Sequence, residues 1–389
     1  MLCFGIYNSS FKLAIAGIIA VFLCLPSSYA QDNNLKYERF RIGEIKDIHS
    51  GIALSPQDEN IVAISGNKSA PVYIYNWNDD EVINKFDVEN WYAGSSIEYS
   101  ANGNYIILNQ LFYVDWLVSK DKKVFFVIID NNGQRILKID ESNEVKISRD
   151  EKKAISLSGD KITEYDLASG KAVNTFGLPA KGFGFALSHD GSFIAVSHEP
   201  REDDLKSMPQ FKKNKQALKN ALKYKHQITI YSYPQFEKVT TINEFYDNIY
   251  ELKFRQDDSE LYCLQKPHAK AQTGGLYQTY LNIIKTANWE PIRKGFVSKA
   301  PYQPDFKLSN DGRFFGLVSQ GGKFPELHVY DYENNRHVDR FEFSYRLIES
   351  DEEGLVVADN RPTFVFLPDN ESILMAFGNR LFTWKFKQE

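Results

Sequence analysis

Cysteine is scarce in this chain: 389 residues hold three, at Cys3, Cys24 and Cys263. The first two lie in a removable leader described below, so Cys263 would stand alone and no internal disulfide could form. Stability must then come from packing rather than cross-links. Cys263 falls in the alternating segment Glu260-Leu-Tyr-Cys-Leu264 and is expected to be a buried, unreactive thiol. Long hydrophobic runs are missing too. The longest, Leu13 to Leu25, spans thirteen residues, whereas a bilayer-crossing helix needs roughly 20. There is no His-Glu-x-x-His, no Gly-x-Ser-x-Gly and no Gly-x-x-x-x-Gly-Lys-Ser/Thr, so no catalytic class is announced by a motif. The seven histidines are scattered, no two at metal-ligand spacing, and no metal site is expected. A formal charge of −5 leaves no basic excess for a nucleic-acid backbone.

The N-terminus reads as an export signal. Lys12 precedes the apolar run, and Ser28 and Ala30 supply small residues before Gln31, which places a cleavage site after Ala30. Residues 1–30 are thus the expected signal peptide and 31–389 a single domain. A large exported chain without disulfides suits a bacterial periplasm or cell surface better than a eukaryotic secretory route.

What the chain has in abundance is a beat. A short apolar strand meets Ser or a stand-in, a polar turn follows, and a second apolar strand begins. The beats end at Ser55, Ser100, Ser148, Ser188, Arg255, Ser309 and Pro368, as in Ala186-Leu187-Ser188-His189 and Lys307-Leu308-Ser309-Asn310. Seven copies of one supersecondary unit predict an all-β radial repeat in which no unit buries its faces alone. Each unit divides into four strands, a to d. In the sixth these are Asp305–Leu308, Phe314–Ser319, Glu326–Tyr330 and His337–Phe343.

These residues resemble the WD40 and YVTN-type repeat propellers. The likeness rests on Ser-x-Asp-Gly after strand a (Ser188–Gly191, Ser309–Gly312). It rests also on the apolar-Asp pairs closing strand c: Ile129-Asp130, Tyr165-Asp166 and Tyr330-Asp331. Asn76, Ser232 and Lys285 replace that Asp in blades 1, 4 and 5, and the Gly-His pair of WD40 units is absent. The resemblance implies a seven-bladed β-propeller of four-stranded blades, and says little of function. Blade 7 runs out of chain after three strands, Thr363–Leu367, Ser372–Phe377 and Arg380–Phe386. Leu35–Ile42 is spare at the other end and is expected to close that blade.

The irregular intervals carry the functional expectation. Turns a–b and c–d share one face and are short. The long connections fall in the b–c and d–a classes: Asn109–Lys123, Glu199–Gln227, Lys266–Gln278 and Ser344–Pro362. Long loops on a rigid scaffold concentrate binding residues. Candidate binding residues on that face are His49, Trp91, Tyr92, Trp116, Phe183, Tyr246, Tyr302 and Arg361. The blade 4 insertion (199–227) carries seven lysines and no acid from Lys206 to Lys225. A helix capped by Ser207, with Phe211, Leu218, Ala221 and Leu222 on one side, would offer Lys212, Lys213, Lys215, Lys219 and Lys223 to an acidic partner or anionic lipid headgroups. The acidic loop around Glu349, Asp351, Glu352 and Glu353 lacks calcium-ligand spacing.

The expected function is an exported, monomeric binding module for a protein, peptide or glycan, with no nucleic-acid partner, only weak membrane-surface contact and no cofactor indicated. The alternative is a propeller enzyme, lactonase-like or quinone-dependent, with its site at the channel mouth. Against the quinone-dependent form, Trp77, Trp91, Trp116, Trp289 and Trp384 keep no common register.

Overall fold

The computed structural model describes residues 37–386, apart from 45–46, 67–69, 89–93, 111–123, 243, 267–278, 299–304, 320–323 and 345–361. The leader (1–30) and most of three long loops therefore lie outside the described residues, as do Trp91, Tyr92, Trp116, Tyr302 and Arg361. The described strands form seven four-stranded antiparallel sheets. In six of them the strands follow chain order. The seventh combines Tyr37–Arg41 with Thr363–Phe366, Ser372–Phe377 and Arg380–Lys385, the N-terminal strand lying beside Arg380–Lys385 as the outer edge. The expected clasp is there.

Each blade borders two others, and an apolar cluster fills each of the seven junctions. Leu374, Leu381 and Ala376 of blade 7 meet Ile52, Val62 and Tyr75 of blade 1, for example. Phe185 and Val196 of blade 4 meet Ile155 and Leu157 of blade 3. The junction of blades 6 and 7 is the most aromatic, with Phe341, Phe343, Phe364, Phe377, Phe382 and Trp384 all buried together. Cys263 is wholly buried in the junction of blades 4 and 5, and burial pushes its thiol up, as an inert core residue requires.

The beat has a mechanical explanation. At Ser188 the hydroxyl accepts the backbone N–H of Phe193 (2.9 Å) and donates to Asp190 (2.7 Å), stapling the a–b hairpin. Ser148 and Ser309 do the same with Lys153 and Phe314. In blade 7 the beat position falls on Leu367 rather than Pro368: its N–H donates to Ser372 O (2.9 Å) as that of Ser309 does to Phe314 O (2.9 Å), a bond proline cannot make. Three residues after the beat, so registered, the backbone is left-handed in six blades. Glycine fills the place at Gly103, Gly191 and Gly312, and Glu151, Asp258 and Asn370 fill it elsewhere. Non-glycine residues are strained there by about 1–2 kcal/mol. All three reach back to the preceding blade's turn. Glu151 accepts from Asn102 N–H (2.7 Å) and the Asn104 amide (2.6 Å), Asp258 from His189 and Asp190 N–H (2.8 and 2.7 Å), and Asn370 from Asp311 N–H (3.4 Å). The Gln57 amide to Asn102 O, Arg149 to His189 O and Arg255 to Asp311 O bridge three further junctions. The short-turn face is thereby laced from blade to blade.

The blade 4 insertion departs from the sequence reading. It forms three helices, Glu202–Ser207, Pro209–Lys212 and Lys215–Tyr224. Ser207 ends the first rather than capping a longer one, its hydroxyl donating to Asp204 O (2.6 Å). Asn214 is the cap, accepting the Ala217 N–H at 2.9 Å. Proline at 209, which has no N–H to donate, starts the second helix at its first position. Among the described residues no helix is long and apolar enough to cross a membrane.

Candidate functional site

The innermost strands set the chemistry of the centre. Residues one and three places before the beat point into the junction with the preceding blade: Ile147 and Val145, Phe254 and Leu252. The strand period of two then turns the alternate positions toward the axis and the following blade. Two places before the beat, counted from Leu367 in blade 7, stand Ala53, Glu98, Lys146, Ala186, Lys253, Lys307 and Val365. Four places before it stand Gly51, Ser96, Glu144, Gly184, Glu251, Asp305 and Thr363. The first tier holds three lysines and one glutamate, the second three carboxylates. The charges come from blades 2, 3, 5 and 6, and blades 1, 4 and 7 contribute small or uncharged residues.

These side chains feel one another across the ring. Glu98 of blade 2 is held below the usual carboxylate range: burial opposes ionisation, but Lys146, Lys253 and Lys307 outweigh it. Lys146 donates to Glu98 at 2.8 Å and lies 3.5 Å from Glu144, and Lys307 lies 3.7 Å from Asp305. Among the described residues the side chains of Lys253 and Glu251 make no hydrogen bond and no direct ion pair. Removal from bulk water pushes the Glu251 carboxyl up to about 7 against the pull of Lys253, Lys307 and Lys146. The same desolvation pushes the Lys253 ammonium down. Solvent still reaches the tiers, since Glu98 is 56% exposed and Lys146 25%. The tiers are thus partly desolvated and still open to solvent. Carboxyl and amine groups driven toward neutrality in such a place can exchange protons or pair with a ligand's charges. Among the described residues no cluster of three His, Cys, Asp or Glu is arranged to hold a metal.

Of the expected His, aromatic and Arg site residues the described ones are His49, Phe183 and Tyr246, and none of the three is exposed. His49 is 1% exposed, neither ring nitrogen has a hydrogen-bond partner among the described residues, and burial lowers its pKa to about 4 despite the opposing pull of Asp47 and the Ile42 carbonyl. Its backbone N–H donates to Gly378 O (2.7 Å), tying blade 1 to the b–c turn of blade 7. Tyr246 is likewise 1% exposed, its backbone paired with His226. Phe183 is half-buried and stacks on His226, ring centroids 3.9 Å apart. His49 and Tyr246 therefore hold the looped face together from beneath. The five lysines at 212, 213, 215, 219 and 223 are exposed. Leu218 and Leu222 line a shallow groove beside Lys215, Lys219, Lys223 and Glu202.

The axial tiers were not among the expected site residues, though their signal is in the beats themselves. The residue two before the beat is charged in four units of seven, on strands whose other positions are mostly apolar.

No family model matches this chain, and no curated protein matches it in sequence. Solved structures do. Of 1415 matching chains, one from Kuenenia stuttgartiensis hydrazine synthase superposes with a TM-score of 0.57 at 13% identity, covering 89% of this chain and 97% of that one. The fold is a β-propeller. At that identity the likeness speaks for architecture alone.

Proposed function

We propose that this protein is an exported binding module that receives a protein, peptide or glycan on its b–c/d–a face. The observation that carries the reading is the asymmetry of the two faces. One is short turns laced together by hydrogen bonds between blades. The other bears the 199–227 insertion and the other long connections, with exposed lysines above partly buried leucines. A rigid ring with one elaborated face is a common way to present recognition loops. The acid-free stretch from Lys206 to Lys225 favours an acidic partner surface over a neutral one. In-cell crosslinking with mass spectrometry tests this: partner crosslinks should concentrate on the b–c and d–a connections, Lys212 to Lys223 among them. Partners captured mainly through Asp58, Lys152 or Asp190, on the laced face, would refute the assignment.

A second reading, a propeller enzyme working in the channel, is favoured by Glu251 titrating near neutrality beside an amine of lowered pKa, the pairing general acid–base chemistry uses. A bound chromophore or stoichiometric metal in the purified protein would favour it over pure binding.

A further inference from the structure

We infer that the axial channel is a binding site for a small organic zwitterion, its carboxylate held by Lys253 and its ammonium by Glu251. Lys253 and Glu251 sit two residues apart on the inner strand of blade 5 (Asn248–Phe254), so both face the axis, one in each tier. Along an extended strand that spacing is roughly 6.6 Å. The other tier charges have direct partners: Lys146 with Glu98 and Glu144, Lys307 with Asp305. Lys253 and Glu251 have none among the described residues, yet neither is sealed away: both are half-buried, and neither contributes a solvent-inaccessible polar atom without a partner. They are an accessible ammonium and an accessible carboxylate, desolvated enough that each is less comfortable charged than in water. A lone anion would satisfy the first and crowd the second; a lone cation would do the reverse. One molecule carrying both charges on a short chain satisfies both.

A small residue of blade 4 sharpens the ligand class. Gly184 keeps the wall low on that side at the level of the carboxylate tier, where a Cβ would have Glu144 Oε2 at 3.8 Å and Ser197 Oγ at 3.9 Å as its nearest neighbours. No bulky side chain shapes the wall there, so specificity comes from the two charges rather than from shape. An amino acid with little or no side chain fits this description, its ammonium toward the looped face and its carboxylate toward the lysine tier.

The test is isothermal titration of the full protein with glycine, β-alanine and 4-aminobutyrate, with acetate and methylammonium as single-charge controls. At least one zwitterion should bind no less than tenfold more tightly than either control. Lys253→Met and Glu251→Gln should each weaken it at least tenfold, and Lys253→Arg should stay within about threefold of wild type. Circular dichroism establishes that the variants fold, and the arginine variant separates lost charge from lost structure. Acetate binding as tightly as the best zwitterion, no heat from any of the three, or folded Met and Gln variants binding like wild type would each overturn the proposal. This site is independent of the looped-face reading: Lys253→Met should leave partner crosslinks unchanged, so the two can fail separately.

Discussion

Replacing His49 by leucine should make the protein more stable and less sensitive to acid. The imidazole is 1% exposed and neither nitrogen has a hydrogen-bond partner among the described residues, so most of its desolvation cost is uncompensated, Asp47 and the Ile42 carbonyl offsetting only part of it. Substituting an apolar side chain of similar size should recover about 1–3 kcal/mol at neutral pH. The acid dependence follows from the lowered pKa. Above 6.5 the ring is neutral in both folded and unfolded chains and pH has no leverage on it. As pH falls below 6.5 the unfolded chain takes up a proton that the folded protein refuses until about 4, so stability drains away through that window. The gap from 6.5 to about 4, at about 1.4 kcal/mol per unit, is worth about 3 kcal/mol, of which about 2.5 is lost by pH 4.5. Urea unfolding of both proteins at a series of pH values from about 7.5 to 4.5 isolates the effect, because every other titrating group is shared. The difference in stability should widen by about 2.5 kcal/mol toward the acid end at constant m-value. Parallel curves would mean that His49 finds a partner or a proton in the native state, and the argument would fail.

Two further outcomes test the packing and the turns. Trp384→Ala empties a wholly buried site between Phe341 and Phe386, and should cost about 3–5 kcal/mol in equilibrium unfolding. Glu151→Ala and Glu151→Gly both remove the acceptor for Asn102 and Asn104, but only alanine keeps the left-handed strain. Glycine should therefore be the milder substitution by about 1 kcal/mol; equal losses would show that the turn is not strained.

The fold was legible because its determinants are local and repeated. Ser148, Ser188 and Ser309 each close a hairpin with a hydroxyl, and the apolar residues flanking them serve one junction each, so reading any unit reads them all. Even the closing strand could be placed, since an unpaired edge at Arg380–Lys385 and a spare strand at Tyr37–Arg41 ask for each other. The axial charges were harder. Glu98 and Lys253 derive their meaning from each other across the ring, and nothing local to either residue reports that distance. The same holds for His49, a candidate binding residue of the looped face by its place in the sequence, which is instead buried where blade 1 meets blade 7. The blade 4 insertion erred for a local reason: Ser207 and Asn214 are both competent caps, and the choice was made by Pro209 opening a separate helix between them.

The clasp sets an order of events. The strand at Tyr37–Arg41 is among the first parts of this domain to leave the ribosome, and the strand it must lie beside, Arg380–Lys385, is among the last. Until then every blade but the seventh can form its own sheet, yet the apolar face that blade 1 keeps for blade 7, around Ile52, Val62 and Tyr75, stays uncovered. A chain threaded across a membrane N-terminus first would hold that open face throughout its passage and finish only on release. Premature association there, with a chaperone or with another unfinished copy, is the hazard this topology carries.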